Sequence, residues 1–336
     1  MRKALRYIIA VLILFLIAGM SVWQGVDEVS FKGDHFTCVL DLKGHKAGMN
    51  YSVGFNYEML RYFALDQRCG MEVILAEPED SISDYLAIDT VDIVVRPWAD
   101  GHTPLPSKCL ADSSTWVSRD KSLQRALNRW LTHFEYTPEF PDLVERFTPA
   151  YEPLKRAASG KSYKYAGPYD ALVKSYAKSI GWDWRMLEAI IWQESKFHIE
   201  ARSRRGAVGL MQMMPSTARR YGVDDMLDPE ENIRAGTDYL CKLGSMFTPY
   251  ASGLELTRFT LAAYNAGEGR ILDCIRCGES LGMPHSTWED IERIIPYMQI
   301  AEKDSITRLG VFQGRETIAY IHHLDTLYRA FCVIAP

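Results

Sequence analysis

The hydrophobic positions change their spacing near the middle of the chain. Between residues 34 and 148, short apolar runs typical of strands ("FTCVLDL", "MEVILA", "VDIVV") alternate with the helical segments "NYEMLRYFALDQRCG" and "DSISDYLAI". This βαβαβ alternation favours a parallel sheet. The following segment "STWVSRDKSLQRALNRWLTHF" predicts one more strand and an amphipathic helix.

From Tyr169 onward the apolar residues recur at three- and four-residue spacing almost throughout, and strand signals are nearly absent. The stretch 149–168 scatters Pro, Gly and Ser among charged residues, which is typical of a linker. The sequence therefore predicts a multi-domain chain with an α/β unit at 34–148, a linker at 149–168 and an all-α domain at 169–336.

The first 25 residues predict a membrane-targeting segment. Three basic residues, Arg2, Lys3 and Arg6, precede an apolar run from Tyr7 to Trp23. The run fits either an uncleaved anchor in the inner membrane or a cleaved signal peptide. Because the basic flank stays in the cytoplasm, the body of the protein is expected in the periplasm.

Composition narrows the possible partners. The 336 residues are 47% hydrophobic and 24% charged, with a formal net charge of -5. These values are typical of globular domains, and no basic field indicates a nucleic-acid partner. The seven cysteines include "CIRC" at Cys274–Cys277, which predicts a local disulfide or two free thiols. No second pair completes a metal site, so neither a metal nor a cofactor is expected.

One carboxylate stands out in the helical region. Leu187, Ile190, Ile191 and then Glu194 fall on one face of a helix predicted to begin after Asp183. A carboxyl group among hydrophobic residues loses hydration, which raises its pKa and suits it to be a general acid. The alternative interpretation is a glutamate at the helix end that reaches past the apolar stripe to solvent.

Further motifs supply polar side chains and glycines that let a backbone approach a ligand closely. They are "GAVGLMQ", "AAYNAGEGR" and "GRETIAYI", with the residues Gly206, Gly209, Gln212, Tyr264, Asn265, Gly267, Glu316 and Tyr320. Trp182, Trp184 and Trp192 are predicted either to stack on sugars or, more commonly, to lie in the core. His322 and His323 point about 100° apart on a helix and do not predict a metal site.

These motifs, in this order, resemble the catalytic domain of the soluble-type lytic murein transglycosylases, which are related in fold to goose-type lysozyme. With its N-terminal region included, the whole chain is similar to a shortened member of the membrane-bound lytic murein transglycosylase F family. The resemblance implies that Glu194 is the catalytic acid/base. It also implies that six residues line the sugar groove or support the acid: Ser203, Gln212, Met214, Tyr264, Asn265 and Glu316. The family's Arg in "E-T-R" is Ile318 here.

The same resemblance implies a reaction on the glycan strands of peptidoglycan. Glu194 would protonate the bridging oxygen of the bond between N-acetylmuramic acid and N-acetylglucosamine, and would then deprotonate the muramyl 6-hydroxyl to give a 1,6-anhydro end. Ordinary glycosidases use two carboxylates, and the motifs show no second one clearly beside Glu194. A hydrolytic muramidase on the same fold and a non-catalytic wall-binding or sensory protein are the alternatives.

The N-terminal region resembles the first lobe of periplasmic amino-acid-binding proteins, on the segments "GFNYE" and "VDIV". In that family a whole second lobe separates the outgoing strand from the returning one. Here only about Pro97 to Ser114 separate them, which is enough for a loop. The sequence therefore predicts a truncated lobe without an enclosed amino-acid pocket, acting as a spacer or as a docking module for a cell-wall protein.

Overall fold

The computed structural model describes residues 33–41, 53–76, 82–97, 107–110, 114–147, 152–299, 309 and 311–336. The targeting segment predicted at residues 1–25 lies outside these ranges. Within them, no helix has both the length and the apolar character needed to cross a membrane. The described residues form two compact units, of which the first runs to Phe140 and the second begins at Pro141 and also includes Val53–Tyr57. The domain boundaries taken from the sequence stay predictions.

The first unit is built on a five-stranded sheet with the strand order β2-β1-β3-β5-β4. Its strands are β1 (His35–Asp41), β2 (Gly70–Ala76), β3 (Ile93–Pro97), β4 (Ser107–Leu110) and β5 (Ser114–Val117). Strand β1 pairs in parallel with β2 and β3, whereas β5 is antiparallel to β3 and β4. The parallel arrangement predicted for the first three strands is confirmed. Strand β4 lies in the segment that the sequence predicts to be a loop. The prediction missed this strand because four residues are too few to show the alternation typical of a strand.

Three helices accompany this sheet: α1 (Val53–Gln67), α2 (Ile82–Ala87) and α3 (Lys121–Phe134). The side chain of Asp120 caps α3 by accepting hydrogen bonds from the backbone N–H groups of Ser122 and Leu123. The predicted apolar face of α3 is buried, with Leu127 and Leu131 fully inaccessible to solvent. Helix α4 (Glu139–Arg146) follows at the boundary between the units.

The second unit is helical, as predicted. Its helices are α5 (Pro153–Ala158), α6 (Asp170–Ser179), α7 (Trp184–Ser195), α8 (Pro215–Arg220), α9 (Pro229–Phe247), α10 (Gly253–Ala266), α11 (Glu268–Leu281), α12 (Trp288–Ile294) and α13 (Arg315–Ile334), with a 3-10 helix at Ile295–Gln299. Strand-like pairing in its described part is limited to the isolated bridges Arg202–Val208 and Val208–Met213. Helix α5 lies within the stretch predicted as a linker and packs on α13.

Helix α11 has a weaker helical signal in the sequence than the other long helices of this unit. Gly269 and Gly278 within it lower the helix propensity, although Ile271 and Ile275 form a buried face. The "CIRC" cysteines, Cys274 and Cys277, lie on this helix, and both have free thiols. Burial raises the pKa of Cys274 to about 12, so this thiol is a poor nucleophile and a poor metal ligand.

Helix α7 packs against α6 and α13. Asp183 caps its first turn by accepting a hydrogen bond from the Arg185 N–H, as the sequence predicts. At the other end Lys196 adopts a left-handed conformation with φ 54°, and its N–H donates to the Trp192 carbonyl. The helix therefore stops just after Glu194, and the chain turns into the glycine-containing loop.

Candidate active site

Glu194 lies in the last turn of α7, where the apolar face of the helix meets the surface. The three hydrophobic residues that precede it on this face, Leu187, Ile190 and Ile191, have no exposed area, whereas Glu194 is partly buried. Its Oε1 accepts a hydrogen bond of 2.6 Å from the Tyr320 hydroxyl of α13. This geometry favours the desolvated carboxyl group over a side chain that reaches freely into water.

The surroundings of Glu194 bring its pKa close to neutrality. Burial raises the pKa to about 7, although the Tyr320 hydrogen bond and the charge of Lys196 act in the opposite direction by stabilising the carboxylate. A carboxyl group with this pKa is present in both protonation states near pH 7. Glu194 can therefore give up a proton in one step and take one back in the next.

Two tyrosines lie near this carboxyl group and keep their protons. Burial, assisted by the negative charge of Glu194, raises the pKa values of Tyr264 and Tyr320 well above the usual range. Tyr320 donates to Glu194, but Tyr264 donates instead to the Met211 carbonyl, over 2.6 Å. Tyr264 thus holds the glycine-containing loop near Glu194. The sequence motifs do not predict the contact between Tyr320 and Glu194.

The loop between α7 and α8 is held by its own polar side chains. The Ser203 hydroxyl oxygen accepts a hydrogen bond from the Ala207 N–H, and the Ser203 N–H donates to the Ala207 carbonyl. The Gln212 amide nitrogen donates to the carbonyls of Ala201 and Gly209 at 2.9 and 3.0 Å. Both bonds use the nitrogen, so Oε1 is the atom of Gln212 that can accept a hydrogen bond from a ligand.

A buried asparagine fixes this loop to α9. Asn232 is 1% exposed, its Oδ1 accepts from the Met211 N–H at 2.8 Å, and its Nδ2 donates to the carbonyls of Val208 and Met226. Gly209, with φ +84°, lies against this asparagine, and a Cβ there would come within 2.6 Å of the Met226 carbonyl oxygen. The sequence predicts that Gly209 lets a ligand approach the backbone closely. In the structure, the group that approaches Gly209 is the Asn232 side chain. Gly206 does face open space.

The other three predicted site residues, Met214, Asn265 and Glu316, are exposed at the protein surface. Met214 precedes α8 and is 41% exposed, whereas Met213 is buried. Asn265 is exposed at the end of α10, and its Oδ1 accepts a hydrogen bond of 2.9 Å from the Thr317 hydroxyl. Glu316 is exposed in the first turn of α13, four residues before Tyr320 and hence on the same helix face.

A row of tyrosine rings extends from the acid and was not predicted. The rings of Tyr264 and Tyr239 have centroids 5.6 Å apart, and those of Tyr239 and Tyr221 are 6.1 Å apart. All three residues are partly exposed. Aromatic rings at half-exposed positions can pack against the apolar faces of a ligand, so the row is a candidate extension of the binding surface. Its members come from α9, α10 and the residue after α8, a combination that local sequence patterns do not show.

A second buried carboxyl group on α7 does not belong to this site. Glu188 has no exposed area, and burial, together with the charge of Asp170, raises its pKa well above the usual value. It lies six residues before Glu194, which is about 240° around the helix. Glu188 therefore lies on a different face of α7 from Glu194. In the described part of the chain, no group of three or more His, Cys, Asp or Glu residues is arranged to hold a metal ion.

Comparison with known proteins matches this region to one domain family. Residues 171–281, which contain Glu194 and the loop, match the family model described as Transglycosylase SLT domain. The membrane-bound lytic murein transglycosylase F of Desulfosudis oleivorans is 31% identical over 220 residues, which are 63% of this chain and 48% of that protein. The protein of the same name from Shewanella frigidimarina is 35% identical over 160 residues, 48% of this chain and 33% of that protein.

A solved structure of the 70 kDa soluble lytic transglycosylase SLT70 from Escherichia coli is 28% identical, covers 48% of this chain and 24% of that chain, and has a TM-score of 0.36. The chain spans about half the length, or less, of the curated relatives named above. The family resemblance indicated by Glu194 and the three sequence motifs is confirmed by the domain match and by the names of these relatives.

Proposed function

We propose that this chain is a peptidoglycan lytic transglycosylase with Glu194 as its single acid/base. The observation that carries the proposal is the partly buried Glu194 carboxyl, whose pKa is raised to about 7 and which Tyr320 orients through a 2.6 Å hydrogen bond. The domain match over residues 171–281 and the names of the relatives support this reaction class. Murein, the material named in those relatives, is then the substrate.

In the first step, protonated Glu194 donates its proton to the bridging oxygen between N-acetylmuramic acid and N-acetylglucosamine. The bond from that oxygen to the muramyl C1 breaks, and the N-acetylglucosamine end leaves as an alcohol. The muramyl acetamido group stabilises the cation formed at C1. Tyr320 remains hydrogen-bonded to the carboxylate that Glu194 has become, which limits the cost of its negative charge.

In the second step, the Glu194 carboxylate takes the proton of the muramyl 6-hydroxyl, and O6 bonds to C1. The product is a 1,6-anhydro end, Glu194 is protonated again, and no water is consumed. We assign groove-lining or supporting positions to Ser203, Gln212, Met214, Tyr264, Asn265 and Glu316, and we add Tyr320 and Tyr239 to this set. Glu188 supplies no second carboxylate, because it is sealed on another face of α7.

Digestion of purified sacculi in water enriched with oxygen-18 tests the reaction. We expect mass spectrometry to find 1,6-anhydro ends without oxygen-18 at C1, because an internal hydroxyl replaces water. Reducing ends that carry the label would contradict the proposal and indicate a muramidase. If neither end appeared, a wall-binding or sensory protein would be the better interpretation. Digestion with the Glu194→Gln variant is the matched control.

We infer that the first unit is a truncated solute-binding-like lobe that serves as a spacer or docks a cell-wall protein. Support comes from the parallel pairing of β1 with β2 and β3, and from the shortness of the segment between β3 and β5. A single lobe lacks the partner lobe that would enclose an amino acid. We also propose that the N-terminal segment places the protein in the periplasm, as a membrane anchor or as a cleaved signal.

Free amino acids and soluble muropeptides at millimolar concentration are therefore expected to leave the rate of sacculus digestion unchanged. A single lobe of the inferred kind lacks the partner lobe that would enclose and bury such a ligand. The measurement is the release of soluble fragments with and without each ligand. A saturable change in rate that disappears on mutation of the first unit would show that it is a sensor.

A further inference from the structure

A cavity in the helical unit lies at the opposite end of α7 from Glu194. Its volume is about 430 Å³, within the range of about 300–1,000 Å³ typical of small-ligand sites. Its walls come from the turn at 180–183 before α7, from Met186 of α7, from the start of α10 and from Tyr328 of α13. Met186 in this wall precedes Glu194 by eight residues, which corresponds to about 12 Å along the helix axis. The cavity is thus separate from the cleavage position.

The charge in this cavity is compensated within the protein. Among the described residues that line it, Asp183 is the only one with a charged side chain. Arg185 donates to both carboxylate oxygens of Asp183, at 2.9 and 2.6 Å, and holds the pKa of Asp183 below its usual range. The Tyr328 hydroxyl donates to the same carboxylate at 3.0 Å. A ligand in this cavity meets a completed ion pair, so a neutral molecule fits better than an ion.

The remaining wall combines aromatic surface with oxygen atoms that can accept hydrogen bonds. Trp182 and Tyr328 supply aromatic rings, and Thr257 and Tyr328 supply hydroxyl oxygens. Burial and the bond to Asp183 raise the pKa of Tyr328 to about 12, so the hydroxyl keeps the proton that it donates to Asp183. Leu254 at the rim is 50% exposed. A ligand suited to this wall has apolar C–H faces and many O–H or N–H donors, which is the chemistry of a saccharide.

We propose that this cavity is an accessory saccharide site that holds a neutral sugar segment of a glycan strand while another part of the strand or sacculus occupies the cleavage site. The choice of glycan rests on the proposed function, but the cavity and its neutral, aromatic wall do not. A second point of attachment raises the local concentration of substrate without contributing to bond cleavage. The site therefore acts on affinity for sacculi and leaves kcat unchanged.

The test compares two leucine variants made in the full chain. Leu254→Arg places a charge in the cavity, whereas Leu281→Arg makes the same change at a residue that is 47% exposed at the end of α11 and outside the cavity. Binding to purified sacculi is measured by co-sedimentation with Glu194→Gln also present to prevent cleavage. Leu254→Arg is expected to weaken binding about fivefold to tenfold, the size of one lost aromatic or apolar contact, and Leu281→Arg to leave it unchanged.

With Glu194 intact, Leu254→Arg is expected to raise KM for sacculi at unchanged kcat. Thr257→Val, which removes a hydroxyl acceptor at nearly constant volume, should weaken binding in the same direction by about threefold, and thermal unfolding of each variant checks its fold. Equal sacculus binding by Leu254→Arg and Leu281→Arg, or a fall in kcat at constant KM, would overturn the accessory site. If the wild-type chain bound sacculi without cleaving them, the proposed function would fail. The comparison of the two leucine variants would still test whether the cavity binds saccharide.

Discussion

Replacing Glu194 by Gln is expected to reduce kcat on purified sacculi by about 10²–10⁴-fold, the usual effect of losing a general acid/base. The amide keeps the shape of the side chain and an oxygen that accepts the Tyr320 hydrogen bond, but it cannot cycle a proton. The measurement is the initial rate of soluble fragment release. Residual activity within tenfold of wild type would contradict the role of Glu194.

Glu188→Gln is the matched control for this variant, because it makes the same change on the same helix. Glu188 is fully buried and also has a raised pKa, but it lies on another face of α7. We expect kcat to stay within about threefold of wild type, since the loss of a group that does not touch the substrate leaves proton transfer unchanged. Comparable losses in the two variants would mean that α7 packing, and not proton transfer by Glu194, determines the rate.

The stability of the Glu194→Gln variant supplies an independent readout of the acid. The pKa of Glu194 is raised from its usual 4.5 to about 7 in the folded protein. A raised carboxyl pKa favours the folded state at low pH, so this contribution is complete below about pH 4.5 and is lost as the pH rises through about 7. At about 1.36 kcal/mol per pKa unit, this effect lowers the free energy of unfolding of the wild-type chain by up to about 3 kcal/mol as the pH rises. The glutamine variant has no such titrating group and does not show this decrease.

We therefore expect the free energy of unfolding of Glu194→Gln, relative to wild type, to increase by up to about 3 kcal/mol between pH 4 and pH 8. Urea titrations at the two pH values measure this difference. A difference that does not change with pH would show that Glu194 has an ordinary pKa. Glu188 is present in both proteins and cancels from the comparison.

The placement of Glu194 could be predicted because its information is local. The period of Leu187, Ile190 and Ile191 determines which face of α7 is buried, and a carboxylate on that face stands out in the sequence. The cap at Asp183 is local too. Glu188 gave no such signal, since a glutamate between Leu187 and Ala189 looks like an ordinary surface residue until α6 is packed against it.

The contacts that shape the site could not be predicted, because they join residues far apart in the chain. Tyr320 lies 126 positions after Glu194, and its hydrogen bond depends on how α13 packs on α7. The Asn232 bonds to the loop depend in the same way on α9. A glycine indicates that something approaches the backbone closely, but it does not say what. At Gly209 the neighbour is Asn232 and the Met226 carbonyl, and not a ligand.

Gly209→Ala is therefore expected to destabilise the protein strongly. The residue has φ +84°, which an L side chain adopts at a cost of about 1–2 kcal/mol. Its new Cβ would also come within 2.6 Å of the Met226 carbonyl oxygen and collide with the Asn232 amide. Forcing a methyl group into a packed interior costs about 1–3 kcal/mol more. We expect the free energy of unfolding to fall by roughly 3 kcal/mol, as measured by urea denaturation.

Gly206→Ala separates the two causes, since Gly206 has nearly the same backbone conformation, with φ +85°, and a Cβ added there would meet no heavy atom within 4 Å. The free energy of unfolding of Gly206→Ala should therefore fall only by the conformational cost of about 1–2 kcal/mol. Gly209→Ala should in addition displace Asn232, which holds the backbone of Val208 and Met211, so kcat should fall in this variant more than in Gly206→Ala. Equal losses of stability in the two variants would show that backbone conformation alone requires these glycines. A larger loss at Gly209 would show that the loop beside Glu194 is held by its contact with α9.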